Sequence, residues 1–83
     1  MDEMTARICE FVRQEILLDD SQAMDADTPL LGGVMDSLGL LQLVAFLEEQ
    51  YEVEIDDADM VAEHFRTPAD ISRFVQSKQT ASV

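Results

Sequence analysis

The sequence predicts an all-α fold: a small up-down four-helix bundle with three main helices, one short helix and a long first loop. Three segments repeat apolar residues three or four positions apart, which is the spacing of one helix face. Between the first two, from Leu18 to Asp36, the repeat disappears and Asp, Ser, Pro and Gly dominate, which is typical of a loop. We therefore expect a single domain over residues 1–83, with a frayed tail at about 79–83.

The first helix is predicted from about Glu3 to Leu17. Asp2 and Glu3 suit its N-terminus, because negative charge is favourable there. Its apolar face consists of Met4, Ile8, Phe11, Val12 and Ile16. Cys9 is the only cysteine, so no disulfide can form within the chain, and we interpret it as a small buried hydrophobe. In the loop that follows, Leu30, Leu31 and Val34 are expected to anchor the chain to the core.

The second helix is predicted from about Ser37 to Tyr51, with Asp36 as its N-cap. It is apolar on two sides. The predicted core face consists of Leu40, Leu43, Val44, Leu47 and Tyr51, with Phe46 beside it. A second apolar stripe, formed by Leu38, Leu41 and Ala45, lies on another side, and so small a protein cannot easily bury both. We therefore predict that this apolar stripe is a docking surface.

The last third of the chain is predicted to contain a short helix and a long one. Val53-Glu54-Ile55 alternates like a strand but is too short, so we interpret it as an extended connector. A short helix from Asp59 to Phe65 would present Met60, Val61 and Phe65. Thr67 and Pro68 then indicate the start of the last helix, as N-cap and first-turn residue. Its apolar face consists of Ile71, Phe74 and Val75.

The charge of the chain limits its partners. The formal net charge is −13, and between Arg13 and Arg66 there are fourteen Asp and Glu but no Lys or Arg. Nucleic acids and anionic membranes attract Lys and Arg, so we expect neither as a partner, and we expect partners with basic patches instead. The acidic N-terminus and the lack of a long apolar run indicate a cytoplasmic protein. We expect it to be a monomer.

Ser37 is the candidate functional residue, because it lies where a glycine-containing loop gives way to an apolar helix. A catalytic Ser–His pair is disfavoured, since His64 is the only histidine and no nucleophile elbow surrounds Ser37. An EF-hand loop beginning at Asp25 would need glycine where Leu30 stands and glutamate where Asp36 stands. We therefore predict neither a metal site nor enzymatic activity. Ser37 is either modified by another enzyme or only a helix cap.

Asp36-Ser37-Leu38, taken with its surroundings, resembles the attachment motif of the acyl carrier protein family. The resemblance covers nearly the whole chain and is strongest from Leu31 to Ile55. It implies that Ser37 carries 4′-phosphopantetheine through a phosphodiester. A phosphopantetheinyl transferase would attach this group from coenzyme A with Mg²⁺, and its thiol would hold cargo as a thioester. An acyl- or aminoacyl-activating ligase would load the carrier, and transferase or synthase enzymes with basic docking patches would use it.

Two kinds of surface residue are expected to guide these partners. Eight of the sixteen residues from 48 to 63 are acidic and none is basic. We expect the acids of this acidic belt to supply charged contacts that form and break quickly. The candidate docking residues are Leu38, Leu41, Ala45, Glu48, Glu49 and Met60.

The chain departs from the fatty-acid-synthesis carriers of that family, which usually have acids in the first turns of the second helix. Here residues 39–42 are Gly, Leu, Leu and Gln, and the first acid after Asp36 is Glu48. Ser37-Leu38-Gly39 followed by Gln42-Leu43 looks more like D-alanyl and other discrete carriers loaded by adenylating ligases. This favours aminoacyl or small-acyl cargo in a specialised pathway, secondary-metabolite or aminoacyl-transfer. A housekeeping fatty-acid-synthesis carrier and an acidic helical interaction module without a prosthetic group stay open as alternatives.

Overall fold

The computed structural model describes residues 2–17, 24–31 and 37–81 of the chain. Its three α-helices are α1 (Glu3–Phe11), α2 (Ser37–Tyr51) and α3 (Pro68–Ala81). Two short 3₁₀ turns, Asp57–Asp59 and Ala62–His64, connect α2 to α3. No strand occurs in these described ranges. The prediction of a small all-α fold with three main helices is therefore confirmed.

Helix α1 begins at its predicted position. The Asp2 carboxylate Oδ1 accepts a hydrogen bond from the backbone N–H of Thr5 at 2.7 Å, which makes Asp2 the N-cap. Hydrogen bonding from Thr5 lowers the pKa of Asp2 below its ordinary value of 3.8. After Phe11 the chain continues as a π-helical turn, Val12–Ile16, and the N–H of Leu17 reaches the Val12 carbonyl at 2.8 Å. The predicted helix thus has the expected length, but its last turn is wider than an α-helix.

One hydrophobic core joins the three helices. Its buried members are Ile8, Val12, Leu30, Leu43, Leu47, Val53, Phe65, Ile71, Phe74 and Val75. Removal of their apolar surface from water is the main contribution to stability. The predicted core faces of α1, α2 and α3 are confirmed, as are the burial of Cys9 and the anchoring of the loop by Leu30. Val34 lies outside the described residues.

Helix α1 runs antiparallel to α2 and α3. The rings of Phe11 and Phe46 stack with centroids 4.3 Å apart, which joins α1 to α2. Asp2 Oδ2 accepts hydrogen bonds from Ser72 Oγ at 3.4 Å and Gln76 Nε2 at 3.2 Å, so the start of α1 meets the later turns of α3. A shallow cleft next to it is lined by Glu3, Met4, Arg7, Tyr51 and Gln79. The starts of α2 and α3 therefore lie at the opposite end of the bundle.

The described part of the loop lies against the start of α3. The N–H of Leu30 donates to the Arg66 carbonyl at 2.9 Å, and the N–H of Ala69 donates to the Ala26 carbonyl at 3.0 Å. Asp25 Oδ1 accepts from the N–H of Asp27 at 3.0 Å and from Thr28 Oγ1 at 3.1 Å. This carboxylate therefore closes a turn of the loop itself.

The prediction for the segment before α3 is wrong in one respect. Instead of a short helix from Asp59 to Phe65, two 3₁₀ turns flank Met60 and an extended Val61. The physical reason is local: Asp56 is the N-cap of the first turn and Asp59 Oδ2 accepts the backbone N–H of Asp56 at 3.0 Å, so this capping box places Asp59 at the end of a turn and not at the start of a helix. Residues 53–55 belong to no helix or strand, and their extended form stays a prediction.

Helix α3 begins as the sequence indicates and ends later. Thr67 Oγ1 accepts from the backbone N–H of Asp70 at 3.2 Å, and Pro68 is the first helical residue. The helix runs to Ala81 and so includes residues 79–81, and fraying of the tail stays a prediction.

Candidate attachment site and docking surface

Ser37 is the first residue of α2. The first N–H groups of a helix have no intrahelical partner, and the helix dipole adds a partial positive charge there. The first turn of α2 contains no acidic residue that would offset this charge. The position is therefore suited to a phosphate-containing group. Asp36, the predicted N-cap, lies outside the described residues, and its role stays a prediction.

The residues that follow Ser37 expose an apolar stripe on α2. Leu38 is 64% exposed and Leu41 is 59% exposed, and Ala45 is also exposed. Leu41 lies one helical turn after Ser37, so the two positions share a helix face. Single exposed leucines are common, but two on adjacent turns form a patch that is typical of an interaction site. The predicted exposure of the stripe is confirmed, and its role in docking stays a prediction.

Glu48 and Glu49 have different surroundings, although the sequence pattern groups them together. Glu48 Oε2 accepts a hydrogen bond from the backbone N–H of Ile55 at 3.0 Å, so its half-buried side chain holds the connector against α2. Glu49 is exposed. The bond is possible because the chain reverses at Glu52, whose φ of 52° lies in the left-handed region. The sequence pattern carries no signal for this contact.

Val61 is an exposed apolar residue that the predicted set of docking residues does not include. It is 41% exposed, whereas its neighbour Met60 is half-buried and packs against the core. The predicted helix would present Met60, Val61 and Phe65 together, whereas the break between the two 3₁₀ turns places Phe65 inside and Val61 outside. Met60 can still contribute its exposed part to docking.

Asp59 is engaged within the protein. Lys78 Nζ lies 2.5 Å from Asp59 Oδ2. The hydrogen bond to Lys78 lowers the pKa of Asp59 below 3.8, and the same bond raises the pKa of Lys78 above 10.5. The pair therefore stabilises the fold above the ordinary pKa of Asp59 and below that of Lys78, and loses its effect outside that range.

His64 has a structural environment. Its Nδ1 lies 3.0 Å from the Asp59 carbonyl, which can only accept, so Nδ1 carries the proton. Its ring stacks on Phe74 with centroids 4.4 Å apart. His64 is half-buried, and these two contacts explain its position without a catalytic role.

The other groups of the described residues that could react or bind a metal have surroundings that do not favour either. Burial raises the pKa of the Cys9 thiol, and its Sγ donates to the Asp25 carbonyl at 3.7 Å, so the less reactive protonated form is favoured. Within the described ranges, no three His, Cys, Asp or Glu side chains are grouped to hold a metal ion. None of the helices seen there has the length and apolar character to cross a membrane.

A small helical protein that presents an apolar face beside a helix-opening serine has the form of a carrier protein. Residues 6–75 match the family described as "Phosphopantetheine attachment site". Because the match covers most of the chain, the protein belongs to this family of carriers and is not an enzyme. Membership implies a phosphopantetheine prosthetic group and interaction with the enzymes of a synthesis pathway.

Two known proteins are similar to this chain. Over 77 residues the chain is 27% identical to an acyl carrier protein of Thermotoga maritima, with 93% of each chain covered. Among solved structures it is similar to a chain in "Crystal structure of FAD-dependent dehydrogenase", with a TM-score of 0.76 and 30% identity. That alignment covers 82% of this chain and 97% of the other. The resemblance to the acyl carrier protein family is thus confirmed.

Proposed function

We propose that Ser37 bears 4′-phosphopantetheine and that the protein carries acyl or aminoacyl groups as thioesters on this arm between biosynthetic enzymes. The main support is the coincidence of two facts: the family match spans Ser37, and Ser37 opens α2 beside exposed Leu38. The Ser37 hydroxyl would attack the phosphorus of coenzyme A that bears the pantetheine, and adenosine 3′,5′-bisphosphate would leave. A transferase with Mg²⁺ would catalyse this step, since Ser37 has no role as a self-activated nucleophile.

The chain's own residues would position the phosphopantetheine arm and the partner enzymes. The start of α2 would stabilise the phosphodiester through its N–H groups and dipole. The apolar stripe would fit an apolar depression on each partner, and the acidic belt would attract basic patches around it. Such charged attraction speeds encounter and release, and it weakens as salt rises. The bundle would act as one monomeric cytoplasmic domain over residues 1–83.

The arrangement of charge favours a specialised pathway. Near Ser37 the proposed docking face is apolar, and the belt acids begin a few turns away, with Glu49 as the first exposed one. A partner that aims basic residues at the first turn of α2 would find no acid there. We therefore propose loading by an adenylating ligase with aminoacyl or small-acyl cargo, in preference to long-chain fatty-acid synthesis.

The structural likeness supports a proposal about one class of downstream partner. The similar solved structure is described as that of an FAD-dependent dehydrogenase, and the matched chain is shorter than this one, since 82% of this chain covers 97% of it. A chain of that size is one small domain. We propose that a flavin-dependent dehydrogenase acts on cargo tethered to this carrier. Two hydrogens would pass from the acyl group to FAD, giving FADH₂ and a double bond in the cargo.

Attachment at Ser37 is tested by intact mass after incubation with a promiscuous phosphopantetheinyl transferase, coenzyme A and Mg²⁺. We expect the wild type to gain one phosphopantetheine and Ser37→Ala to gain none. Ser77→Ala is the matched control, because Ser77 is exposed on α3, and it should gain the group like the wild type. An unchanged wild-type mass would favour the interaction module, and a modified Ser37→Ala variant would place the group elsewhere.

The cargo is tested on the loaded protein. The holo form would be incubated with ATP, the candidate adenylating ligase and a panel of amino acids, short acids and long-chain fatty acids. We expect mass gains with amino acids or short acids. Gains only with long-chain acids would favour the housekeeping carrier instead. Adding the flavin enzyme to the loaded carrier should then lower the cargo mass by two hydrogens.

A further inference from the structure

We propose that Lys78 is a positioning residue for partner docking, because it fixes the segment 56–65 to α3. This docking segment carries exposed Val61 and four of the belt acids, Asp56, Asp57, Asp59 and Glu63. The inference rests on the proposed carrier function, since the shape of the segment matters only if partners contact it. Neither family membership nor the sequence pattern assigns a role to Lys78.

The ion pair between Lys78 and Asp59 differs from the other two described ion pairs. Arg7–Glu3 and Arg73–Asp70 each join neighbours on a single helix, and at least one side chain of each pair is more than half exposed. Lys78 and Asp59 come from separate segments, and their side chains are only 24% and 22% exposed. Partial exclusion of water reduces screening, so this pair is the stronger structural link.

A second contact fastens the same segment beside the ion pair. The His64 ring stacks on Phe74, and its Nδ1 donates to the Asp59 carbonyl at 3.0 Å. Lys78 Nζ lies 5.9 Å from the centroid of the same Phe74 ring, within range of a cation–π contact. Both ends of the docking segment therefore meet one patch of α3.

The Lys78 contact also determines where Val61 points. Asp59 Oδ2, which binds Lys78, accepts the backbone N–H of Asp56 as well and so closes the first 3₁₀ turn. Met60 and Val61 follow this turn directly. Loss of Lys78 would release this turn from α3, and the position of Val61 would change with that of the turn.

Electrostatics gives Lys78 a further effect on the docking segment. The Asp59 hydrogen bond is the main cause of the raised pKa of Lys78, and the charges of Asp56 and Glu54 add to it. Lys78 therefore lies within the field of the acidic belt and reduces the repulsion among its members. It also occupies Asp59, which leaves exposed Asp56, Asp57 and Glu63 as the acids of this segment that a partner can reach.

The test compares Lys78→Met with Arg73→Met. Methionine keeps an unbranched apolar stem at both positions, and Arg73 contacts Asp70 but not the docking segment in any described ion pair. In Lys78→Met we expect the amides of residues 56–65 to exchange hydrogen roughly five- to tenfold faster. Loading by the transferase should show a KM raised roughly two- to fivefold with unchanged kcat. Arg73→Met should match the wild type in both, and Lys78→Arg should restore the KM.

Each outcome decides one part of the proposal. Unchanged amide exchange in Lys78→Met would overturn the fastening of the segment. Faster exchange with an unchanged KM would overturn the role in docking. Failure of the wild type itself to load would contradict the proposed carrier function and the docking role with it, whereas the exchange data would still decide the fastening.

Discussion

The inward and outward faces of α2 are built from the same residue type. Leu43 and Leu47 are completely buried, whereas Leu38 and Leu41 are 64% and 59% exposed. Each inward leucine contributes the free energy of removing its apolar surface from water. The apolar surface of each outward leucine stays in water in the isolated protein, so the same gain in free energy is obtained only when a partner covers it. One face of α2 therefore stabilises the fold, and the other is available for recognition.

The largest expected difference is in stability. Leu47→Ala should lower the free energy of unfolding by roughly 2–5 kcal/mol, because it leaves a cavity in the core. Leu41→Ala makes the same chemical change on the outward face and should alter the free energy by less than about 0.5 kcal/mol. Urea denaturation of the two variants measures both values. Equal losses would show that the two faces are not divided in this way.

The outward face is probed by a charge placed in the stripe. Leu41→Glu should reduce kcat/KM for transferase loading about tenfold, since it puts a carboxylate where a partner expects an apolar surface. Gln42→Glu adds the same charge at the adjacent exposed position and should have a much smaller effect. Circular dichroism should show unchanged helix content in both. A collapsed fold in Leu41→Glu would mean that Leu41 belongs to the core.

Glu48 and Glu49, near the end of α2, also differ in whether they serve the fold or face outward, and their expected effects are smaller. Glu48→Ala should cost about 1 kcal/mol of stability, because it removes the acceptor of the Ile55 N–H. Glu49→Ala should leave stability unchanged and reduce the salt dependence of loading instead. Denaturation and loading at several salt concentrations separate these effects. A salt effect confined to Glu48→Ala would reverse the assignment.

The smallest expected effect is at the residue after α2. Glu52 has a φ of 52°, which is unfavourable for a residue with a Cβ. Glu52→Gly should raise the free energy of unfolding by about 0.5–1 kcal/mol. Glu54→Gly removes the same charge from the extended connector and should lower it slightly. A stability loss in Glu52→Gly would contradict the backbone explanation.

Periodicity was sufficient to predict α2. Leu43 and Leu47 recur at helical spacing with other apolar residues, so the bounds of the helix and its inward face followed from the order of residues alone. The exposure of the outward stripe followed from the size of the protein, because so small a bundle cannot easily bury both apolar sides of α2. The start of α3 was also predictable, since Thr67 and Pro68 act through local backbone chemistry.

Contacts between distant segments were not predictable. The bonds from Glu48 to Ile55 and from Lys78 to Asp59 depend on how the chain folds back, and no local pattern records them. The 3₁₀ turns replaced the expected short helix because the capping box of Asp56 and Asp59 starts the first turn before Asp59. The prosthetic group at Ser37 rested on a resemblance to a family, since a serine hydroxyl at a helix start is by itself only a cap.

The central claim is that the hydroxyl of Ser37 is the attachment point. Protease digestion of the holo protein, followed by fragmentation of the peptide that contains Ser37, locates the group directly. We predict release of the pantetheine moiety from this peptide and assignment of the phosphodiester to Ser37. A holo protein whose group maps to another residue, or a Ser37 peptide that stays unmodified under loading conditions, would contradict the account.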